Sequence, residues 1–301
     1  MTDDAGFSQL MTEAIRPEEL DLDLLSTSQL VTMMADDVAD VQRAIRNAAE
    51  PIARSIDGIA DRMLGGGRLI YIGAGTSGRL ALIDAVECVP TFSVPPGQVQ
   101  AIIAGGAEAA ASAVESAEDS AADARHRLTA VGVGPADSVV GLSASGLTPW
   151  VLEGVRCAAE AGALTVGISC NHGSKLSASV DFPIELLVGP ELLAGSTRLK
   201  SGTAQKVVLN AISTITMVRL GKTYRNLMVD VKPTNAKLRD RAARIVSQLT
   251  GAQDGEVLQA LRATGDDTKA AIVVLARGVS PRAAHDLLRE CGGSLRVALS
   301  R

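Results

Sequence analysis

The sequence has few aromatic residues and no excess of basic charge. Aromatic side chains make up 2% of the 301 residues, so a core must be built from Ala, Val, Leu and Ile. The one Trp, two Tyr and three Phe are scattered and form no platform for stacking bases. With 29 basic and 34 acidic side chains, the net charge of −5 also disfavours contact with a phosphate backbone. We therefore expect no nucleic-acid partner.

Metal-binding and membrane-spanning patterns are also absent from the sequence. The four cysteines have no C-x-x-C spacing, and there are three histidines. This argues against a metal site and favours structural thiols. The chain starts Met-Thr-Asp-Asp and has no apolar run of about eighteen residues. We expect a cytoplasmic protein without a membrane partner.

Short apolar runs alternate with helical patterns in the middle of the chain. A parallel sheet covered by helices on both faces produces this alternation. The prediction is an α/β fold with a five-stranded parallel sheet. The strands are predicted at 69–72, 99–104, 138–142, 164–168 and 182–187. An Ala-rich helix is predicted over 107–128, between the second and third strands.

The helical patterns divide the chain into three predicted parts. Residues 1–64 form a helical segment, with an N-cap at Ser26 and an interruption at Pro51. Residues 65–235 form the α/β domain. Residues 236–301 form a small helical bundle, with three short helices after residue 250 and a helix start at Ser280-Pro281.

The first strand runs into a glycine-rich loop, Gly73-Ala74-Gly75-Thr76-Ser77-Gly78. The pattern G-x-G-x-x-G is typical of a dinucleotide site, which also needs an acidic residue about twenty residues further on, at the end of the second strand. That strand ends Ala104-Gly105-Gly106, without an acid. Hydroxyls at a helix N-terminus favour a terminal phosphate instead, with Thr76, Ser77 and Gly78 as candidate ligands. An ordinary helix cap remains an alternative.

A second hydroxyl-rich loop follows the third strand, as Ser143-Ala144-Ser145-Gly146-Leu147-Thr148. Ligands of open α/β sheets bind outside the carboxyl ends of the strands. The two loops are therefore placed to surround one phosphate, with Ser143, Ser145, Gly146 and Thr148 as candidates. Serine and threonine also cap helices without binding anything, so this alternative stays open.

Three polar clusters supply candidates for acid–base chemistry and anion binding. The helix after the first loop carries Asp84 and Glu87 before a predicted turn over 88–92. The Ala-rich helix carries Glu115, Glu118 and Asp119. The stretch 196–203 precedes a helix predicted over 203–220, and it contributes the candidates Ser196 and, further along, Lys206. Each cluster is also compatible with a solvated helix face.

Several stretches together resemble the N-acetylmuramic acid 6-phosphate etherase family, which has the SIS (sugar isomerase) αβα sandwich fold. The similarity covers nearly the whole chain. Its most specific pieces are 195–200, 202–206, 226–230 and 233–237. The family's N-terminal Thr-Glu-x-Arg-Asn-Pro pattern is present in part, at Thr12-Glu13-Ala14-Ile15-Arg16-Pro17.

The resemblance implies cleavage of the C3 lactyl ether of N-acetylmuramic acid 6-phosphate, giving N-acetylglucosamine 6-phosphate and D-lactate in cell-wall sugar recycling. It implies no metal or redox cofactor, and a homodimer whose partner closes the site. The family's acid/base glutamate corresponds to Glu87, and its second active-site glutamate to Glu118. Two alternatives remain: a non-enzymatic phosphosugar-binding regulator of the same fold, and a nicotinamide-dependent dehydrogenase.

Overall fold

A sheet of five parallel strands lies at the centre of the α/β part of the chain. The structure is a computed structural model, and it describes all residues except 1–9, 17–20, 113, 115, 232 and 234. The strand order is β2-β1-β3-β4-β5, and every pair is parallel. The strands are β1 (Leu69–Gly73), β2 (Val99–Ile103), β3 (Ser138–Leu142), β4 (Leu164–Ser169) and β5 (Phe182–Glu185). The predicted fold class and all five strands are confirmed.

Helices precede, connect and follow the strands. Those up to the fourth strand are α1 (Thr27–Asp36), α2 (Val38–Asn47), α3 (Ala49–Leu64), α4 (Gly75–Phe92), α5 (Glu108–Ala111), α6 (Ala121–Val131) and α7 (Pro149–Glu160). Those after the fifth strand are α8 (Lys200–Arg219), α9 (Ala236–Thr250), α10 (Asp254–Ala263), α11 (Thr268–Arg277), α12 (Pro281–Glu290) and α13 (Leu295–Ser300). Short 3₁₀ helices lie at Met11–Glu13, Leu22–Leu24, Ala117–Asp119 and Ser177–Ser179.

Both faces of the sheet are buried, which explains why the strands read as continuous apolar runs. In β1, Ile70 and Ile72 are fully buried with Val151 and Val155 of α7. The side chains between them point to the opposite face, because successive residues of a strand alternate. There the hydroxyl of Tyr71 donates to Asp84 of α4, at 3.0 Å. Strand β1 therefore packs against a helix on each side.

The chain divides into two compact units. The first contains residues up to Val86 together with Gly97–Ser213, and it includes the sheet. The second contains Glu87–Pro96 and Thr214–Arg301. Its core is formed by the apolar faces of the C-terminal helices, with Val246, Ile272 and Val273 fully buried. The three-part division at 64/65 and 235/236 remains a prediction.

Two helical predictions near the first strand are wrong in detail. The N-terminal helices are interrupted at Asp37, between α1 and α2, and at Ala48, between α2 and α3, and not at Pro51. Pro51 sits in the first turn of α3, where a helix tolerates proline because the first N–H groups have no intrahelical partner. The predicted turn over 88–92 is helical, since α4 continues through Pro90 to Phe92.

The Ala-rich segment is not one helix. Helix α5 ends before Ser112, which is extended, and Ser116 has a φ of 59°, in the left-handed region. A new helix, α6, starts after Ser120, whose side chain accepts from the N–H of Asp123. A segment that its alanines favour as a helix is therefore interrupted by the left-handed backbone of Ser116, and Ser120 caps the helix that follows.

The helix start predicted at Ser280 is confirmed, and the structure adds a cap at Asn235. Asn235 accepts from the N–H of Leu238 at the start of α9, and Ser280 accepts from that of Ala283 at the start of α12. Four helices follow residue 250, rather than the three predicted.

Candidate functional site

The candidate site lies where the order of the strands reverses. From β1 the chain moves outward to β2, and it then returns to place β3 on the other side of β1. The connections therefore diverge between β1 and β3 and leave a crevice outside their carboxyl ends. Helices α4 and α7 begin directly after the loops at these ends, so two helix N-termini face this region. Their partial positive charge favours an anion.

The loop after β1 is anchored to α8 by a buried hydrogen bond. The hydroxyl of Ser77 donates to the Oε1 of Gln205 at 2.7 Å. Both side chains are buried, and the Nε2 of Gln205 has no hydrogen-bond partner among the described residues. This contact fixes the first turn of α4 against a helix that lies far along the chain.

The loop after β3 is organised around Ser143. Its hydroxyl lies 2.8 Å from the Oγ1 of Thr148 and 3.2 Å from the Oγ of Ser145. It also accepts from the N–H of Gly146 at 3.0 Å. Gly146 has a φ of 72°, and a Cβ there would collide with Ser174. The hydroxyl cluster therefore depends on a glycine at this turn.

The two loops line one pocket, as the sequence predicted. Its volume is about 300 Å³. Five of the predicted ligands line it: Thr76, Ser77, Ser143, Ser145 and Thr148. Within the described part of the chain, its lining contains three carboxylates, from Glu13, Glu118 and Asp119, and no lysine or arginine. The pocket therefore combines hydroxyls and helix N-termini with carboxylates.

Four predicted ligands do not line this pocket. Gly78 packs against β1, where a Cβ would lie 2.6 Å from the carbonyl oxygen of Gly73. Gly146 donates its N–H to the hydroxyl of Ser143 and so holds the hydroxyl loop. Ser196 lies in the loop before α8. Lys206 is exposed and donates to the side chain of Asn210. As ligands these four are not supported by the pocket geometry.

The two predicted glutamates lie in different settings. Glu118 is exposed in the 3₁₀ turn Ala117–Asp119 and lines the pocket, so the break in the Ala-rich segment brings it there. Glu115 lies outside the described residues. Glu87 is exposed near the carboxyl end of α4 and belongs to the second unit. Its catalytic role stays a prediction.

Asp84, one turn before Glu87 on α4, is a buried carboxyl in a polar network. It accepts from the Nδ2 of Asn210 at 2.8 Å, from Tyr71, and from the hydroxyl of Ser213 at 3.1 Å. Burial raises the pKa of this carboxyl above its ordinary value, although these hydrogen bonds act in the opposite direction. The network holds α4 and α8 together, so Asp84 has a structural role.

The structure also places residues in the site that the sequence reasoning missed. Glu13 and Thr197 line the pocket. Asn171, which follows β4, donates to the carbonyls of Ala144 and Ser145 at 3.1 and 3.2 Å and so holds the hydroxyl loop. Asn171 lies just after the carboxyl end of β4, and this position could have identified it from the sequence as a residue of the site. Glu13 lies far from both loops in the sequence, and the usable signal for it was its place in the partial family pattern over 12–17.

Two further features of the described residues concern metals and membranes. They contain no group of three or more His, Cys, Asp or Glu side chains that could hold a metal ion. Among them, no helix is long and apolar enough to span a bilayer.

Comparisons with known proteins show extensive sequence similarity. A family model described as the glucokinase regulatory protein N-terminal SIS domain matches residues 51–159. The chain is 55% identical to the N-acetylmuramic acid 6-phosphate etherase of Rubrobacter xylanophilus, covering 98% of each chain. It is 51% identical to the etherase of Streptomyces avermitilis, over 98% of this chain and 95% of that relative.

A solved structure shows a similar fold at low sequence identity. The phosphoheptose isomerase from Francisella tularensis matches 65% of this chain and 100% of its own, with a TM-score of 0.51 and 18% identity. Together with the SIS family match, this confirms the expected SIS-type αβα sandwich.

Proposed function

We infer the function from the family: the chain belongs to the N-acetylmuramic acid 6-phosphate etherase family. It is an enzyme that cleaves the C3 D-lactyl ether of N-acetylmuramic acid 6-phosphate, in the recycling of cell-wall amino sugars. The similarity spans both compact units, so the inference concerns the whole chain and not one domain of it. The single observation from the structure that supports it is the shared pocket of the two hydroxyl loops.

We propose that these loops hold the 6-phosphate of the substrate. Ser77, Ser143, Ser145 and Thr148 offer hydroxyl donors, and the N-termini of α4 and α7 add a favourable field. A phosphate bound here needs no lysine or arginine. Its fixed position reduces the entropic cost of bringing the reacting carbons to the catalytic groups.

The reaction proceeds by elimination and hydration. Opening of the sugar ring gives an aldehyde at C1, which makes the proton on C2 acidic. A base removes that proton, the C3–O bond breaks, and the lactyl oxygen takes up a proton as lactate departs. Water then adds to the unsaturated aldehyde, with its hydroxyl at C3 and its proton at C2. The two steps leave the overall oxidation state unchanged, so no redox cofactor is required.

We propose Glu87 as the base at C2 and Glu118 as the second acid–base group. Glu118 is supported by its place in the pocket lining. Glu87 is supported by its correspondence to the family's acid/base glutamate.

Turnover in heavy-oxygen water tests this function directly. We expect D-lactate release from N-acetylmuramic acid 6-phosphate, with the label found at the C3 hydroxyl of the sugar product. Glu87→Ala should abolish lactate release but leave phosphosugar binding intact, and Ser145→Ala should mainly raise KM. Lactate without labelled sugar would mean cleavage on the lactyl side. Near-normal turnover by Glu87→Ala would refute the assignment of the base.

The same assay separates the enzyme from a regulator. The family model that matches residues 51–159 is named for a regulatory protein. A regulator would bind the phosphosugar without releasing lactate. The similarity to etherases over 98% of the chain favours the enzyme. A dehydrogenase is disfavoured because the end of β2, Ala104-Gly105-Gly106, lacks the acidic residue that binds a ribose. A fluorescence titration with NAD should show no binding.

We also propose that the protein acts as a cytoplasmic homodimer. Helices α4 and α8 expose Ile83, Val86 and Val207, which are 56%, 58% and 43% accessible. Exposed apolar residues on helices held together at Asp84 are typical of an association surface. Light scattering should give twice the mass of one chain. Val86→Asp should give a folded monomer, and an unchanged dimer would place the interface elsewhere.

A further inference from the structure

The pocket contains a carboxylate to which the proposed mechanism gives no task. Glu13 lines the pocket together with the hydroxyl loops, Glu118 and Thr197. We propose that Glu13 is a substrate-binding residue that accepts hydrogen bonds from the hydroxyl or amide N–H groups of the sugar. This inference rests on the proposed phosphosugar pocket and adds a specificity contact to it.

The backbone before Glu13 is held firmly to the site. Thr12 is 1% exposed, and its N–H donates to the Oδ1 of Asn171 at 3.3 Å. The Nδ2 of Asn171 in turn donates to the Oγ1 of Thr12 at 3.1 Å. The same Nδ2 donates to the carbonyls of Ala144 and Ser145, in the hydroxyl loop. One buried amide therefore connects the neighbour of Glu13 to the proposed phosphate ligands.

The backbone after Glu13 is held by an arginine. The Nη2 of Arg16 donates to both carboxylate oxygens of Asp37, at 2.5 and 2.6 Å. Its Nε donates to the carbonyl of Glu191 at 3.3 Å. The N-terminal strap, residues 10–16, is thus anchored on both sides of Glu13. A backbone fixed in this way loses little further entropy when the side chain that it carries binds a ligand.

The loop opposite Glu13 leaves room for its carboxylate. Gly195 has a φ of 76°, and a Cβ at this position would lie 3.2 Å from the Oε2 of Glu13. Thr197, in the same loop, also lines the pocket. A glycine here allows the loop to approach the carboxylate closely. Glu13 is exposed, and its carboxylate lies beside this loop at the pocket, where a bound ligand can reach it.

The charge of the pocket decides what Glu13 can bind. A carboxylate repels a phosphate, so Glu13 is a poor phosphate ligand. Ionised carboxylates accept hydrogen bonds only, and they accept strongly from hydroxyl and amide donors. A phosphosugar presents both kinds of group, a dianion and several hydroxyls. We assign the hydroxyl loops to the dianion and Glu13 to the neutral donors of the sugar.

Binding measured with two probes tests this assignment. The probes are N-acetylglucosamine 6-phosphate, the product, and inorganic phosphate, each titrated calorimetrically into the full-length protein. Glu13→Gln should raise the Kd for the amino-sugar phosphate about tenfold, as expected for a hydrogen bond to a charged group. It should leave the Kd for phosphate unchanged or lower it, because one negative charge is removed. Glu50→Gln, an exposed carboxylate on α3, is the matched control and should change neither.

Each outcome has a definite meaning. An amino-sugar phosphate Kd within about twofold of wild type in Glu13→Gln would refute the inference while leaving the phosphosugar pocket intact. An equal rise in the Kd values of both probes would also refute the inference, since Glu13 would then act on the shape of the phosphate site. Failure of the wild-type protein to bind either probe would instead refute the proposed pocket. Glu13→Asp keeps the charge but shortens the side chain. It should raise the Kd for the amino-sugar phosphate and leave the Kd for inorganic phosphate unchanged. In turnover, Glu13→Gln should raise KM more than it lowers kcat.

Discussion

Replacing Asp137 by Asn is expected to destabilise the first unit by about 2 to 3 kcal/mol at neutral pH. Asp137 precedes β3, at the opposite end of the sheet from the pocket. Its Oδ1 accepts from the N and Nε of Arg68, both at 3.0 Å. Its Oδ2 accepts from the Nη2 of Arg68 at 2.6 Å and from the N–H of Gly134 at 3.0 Å. The side chain is 7% exposed.

The magnitude follows from the donors that asparagine leaves without an acceptor. Asparagine keeps one oxygen, so two of the four hydrogen bonds are lost whichever way the amide is turned. Hydrogen bonds to a charged group contribute about 1.5 kcal/mol or more each, giving about 3 kcal/mol. The Arg68 side chain is 30% exposed, so water partly replaces the lost partner and lowers the total.

Urea unfolding followed by tryptophan emission measures this change. Trp150 is the only tryptophan, is fully buried, and lies in the first unit, so it reports on that unit. Glu160→Gln is a suitable control, because its ion pairs with Arg125 and Arg156 are largely exposed. Glu160→Gln should lower the free energy of unfolding by less than about 1 kcal/mol. A change below about 0.5 kcal/mol for Asp137→Asn would refute the argument.

A second test is how the difference in the free energy of unfolding between wild type and Asp137→Asn changes with pH. Burial acts to raise the pKa of Asp137, but hydrogen bonds from Arg68 and Gly134 outweigh it and hold the pKa below its ordinary value. The stabilisation is therefore fully present above the unfolded pKa of about 3.9, and it is lost as the pH falls through the folded pKa. The difference between wild type and Asp137→Asn should be constant from about pH 6 to 8 and shrink below about pH 4. A difference that grows on acidification would contradict this.

Three further predictions concern the loops and a thiol. Ser143→Ala should raise KM about tenfold, since it removes the hydroxyl that orders the second loop, and steady-state kinetics will show whether kcat stays within a few-fold. Gly146→Ala should lower stability by more than about 1 kcal/mol, measured by urea unfolding, because its φ of 72° and the contact with Ser174 both oppose a Cβ. Burial raises the pKa of the Cys170 thiol to about 12, so a short iodoacetamide pulse at pH 8 should leave the Cys170 peptide unmodified in the native protein and alkylate it in urea. Native alkylation would contradict its burial.

The strands were predictable because they depend on a short-range signal. Strands β1 and β3 are buried at every residue, and five consecutive residues such as those of β1 mark them directly, whereas the edge strand β5 is partly exposed. The Ala-rich segment was not predictable in the same way. Its alanines favour a helix, but the conformation of Ser116 and the cap at Ser120 divide it. The Ser120 cap is a local side-chain hydrogen bond, and composition does not reveal it.

The candidate site was predictable where it follows strand ends and not where it depends on distant segments. Both hydroxyl loops directly follow strands, so the fold class alone brings them together. Glu13 is held at the pocket by long-range contacts of its neighbours, Thr12 with Asn171 and Arg16 with Asp37, which hydrophobic periodicity does not encode. Lys206 was predicted as a ligand but lies beside Gln205, which is the residue that faces Ser77. Adjacent helix positions point in directions about 100° apart, so a one-residue difference decides which side chain enters a site.

The two compact units are joined inside helices, and this affects how the protein can be divided or recombined. The junction between Val86 and Glu87 lies within α4, and that between Ser213 and Thr214 lies within α8. Cutting the chain at either point would leave backbone groups of a broken helix without partners. A single inserted residue would turn every following side chain of that helix by about 100°. Neither unit is therefore a portable module, and exchange between relatives must preserve the helical phase at both junctions.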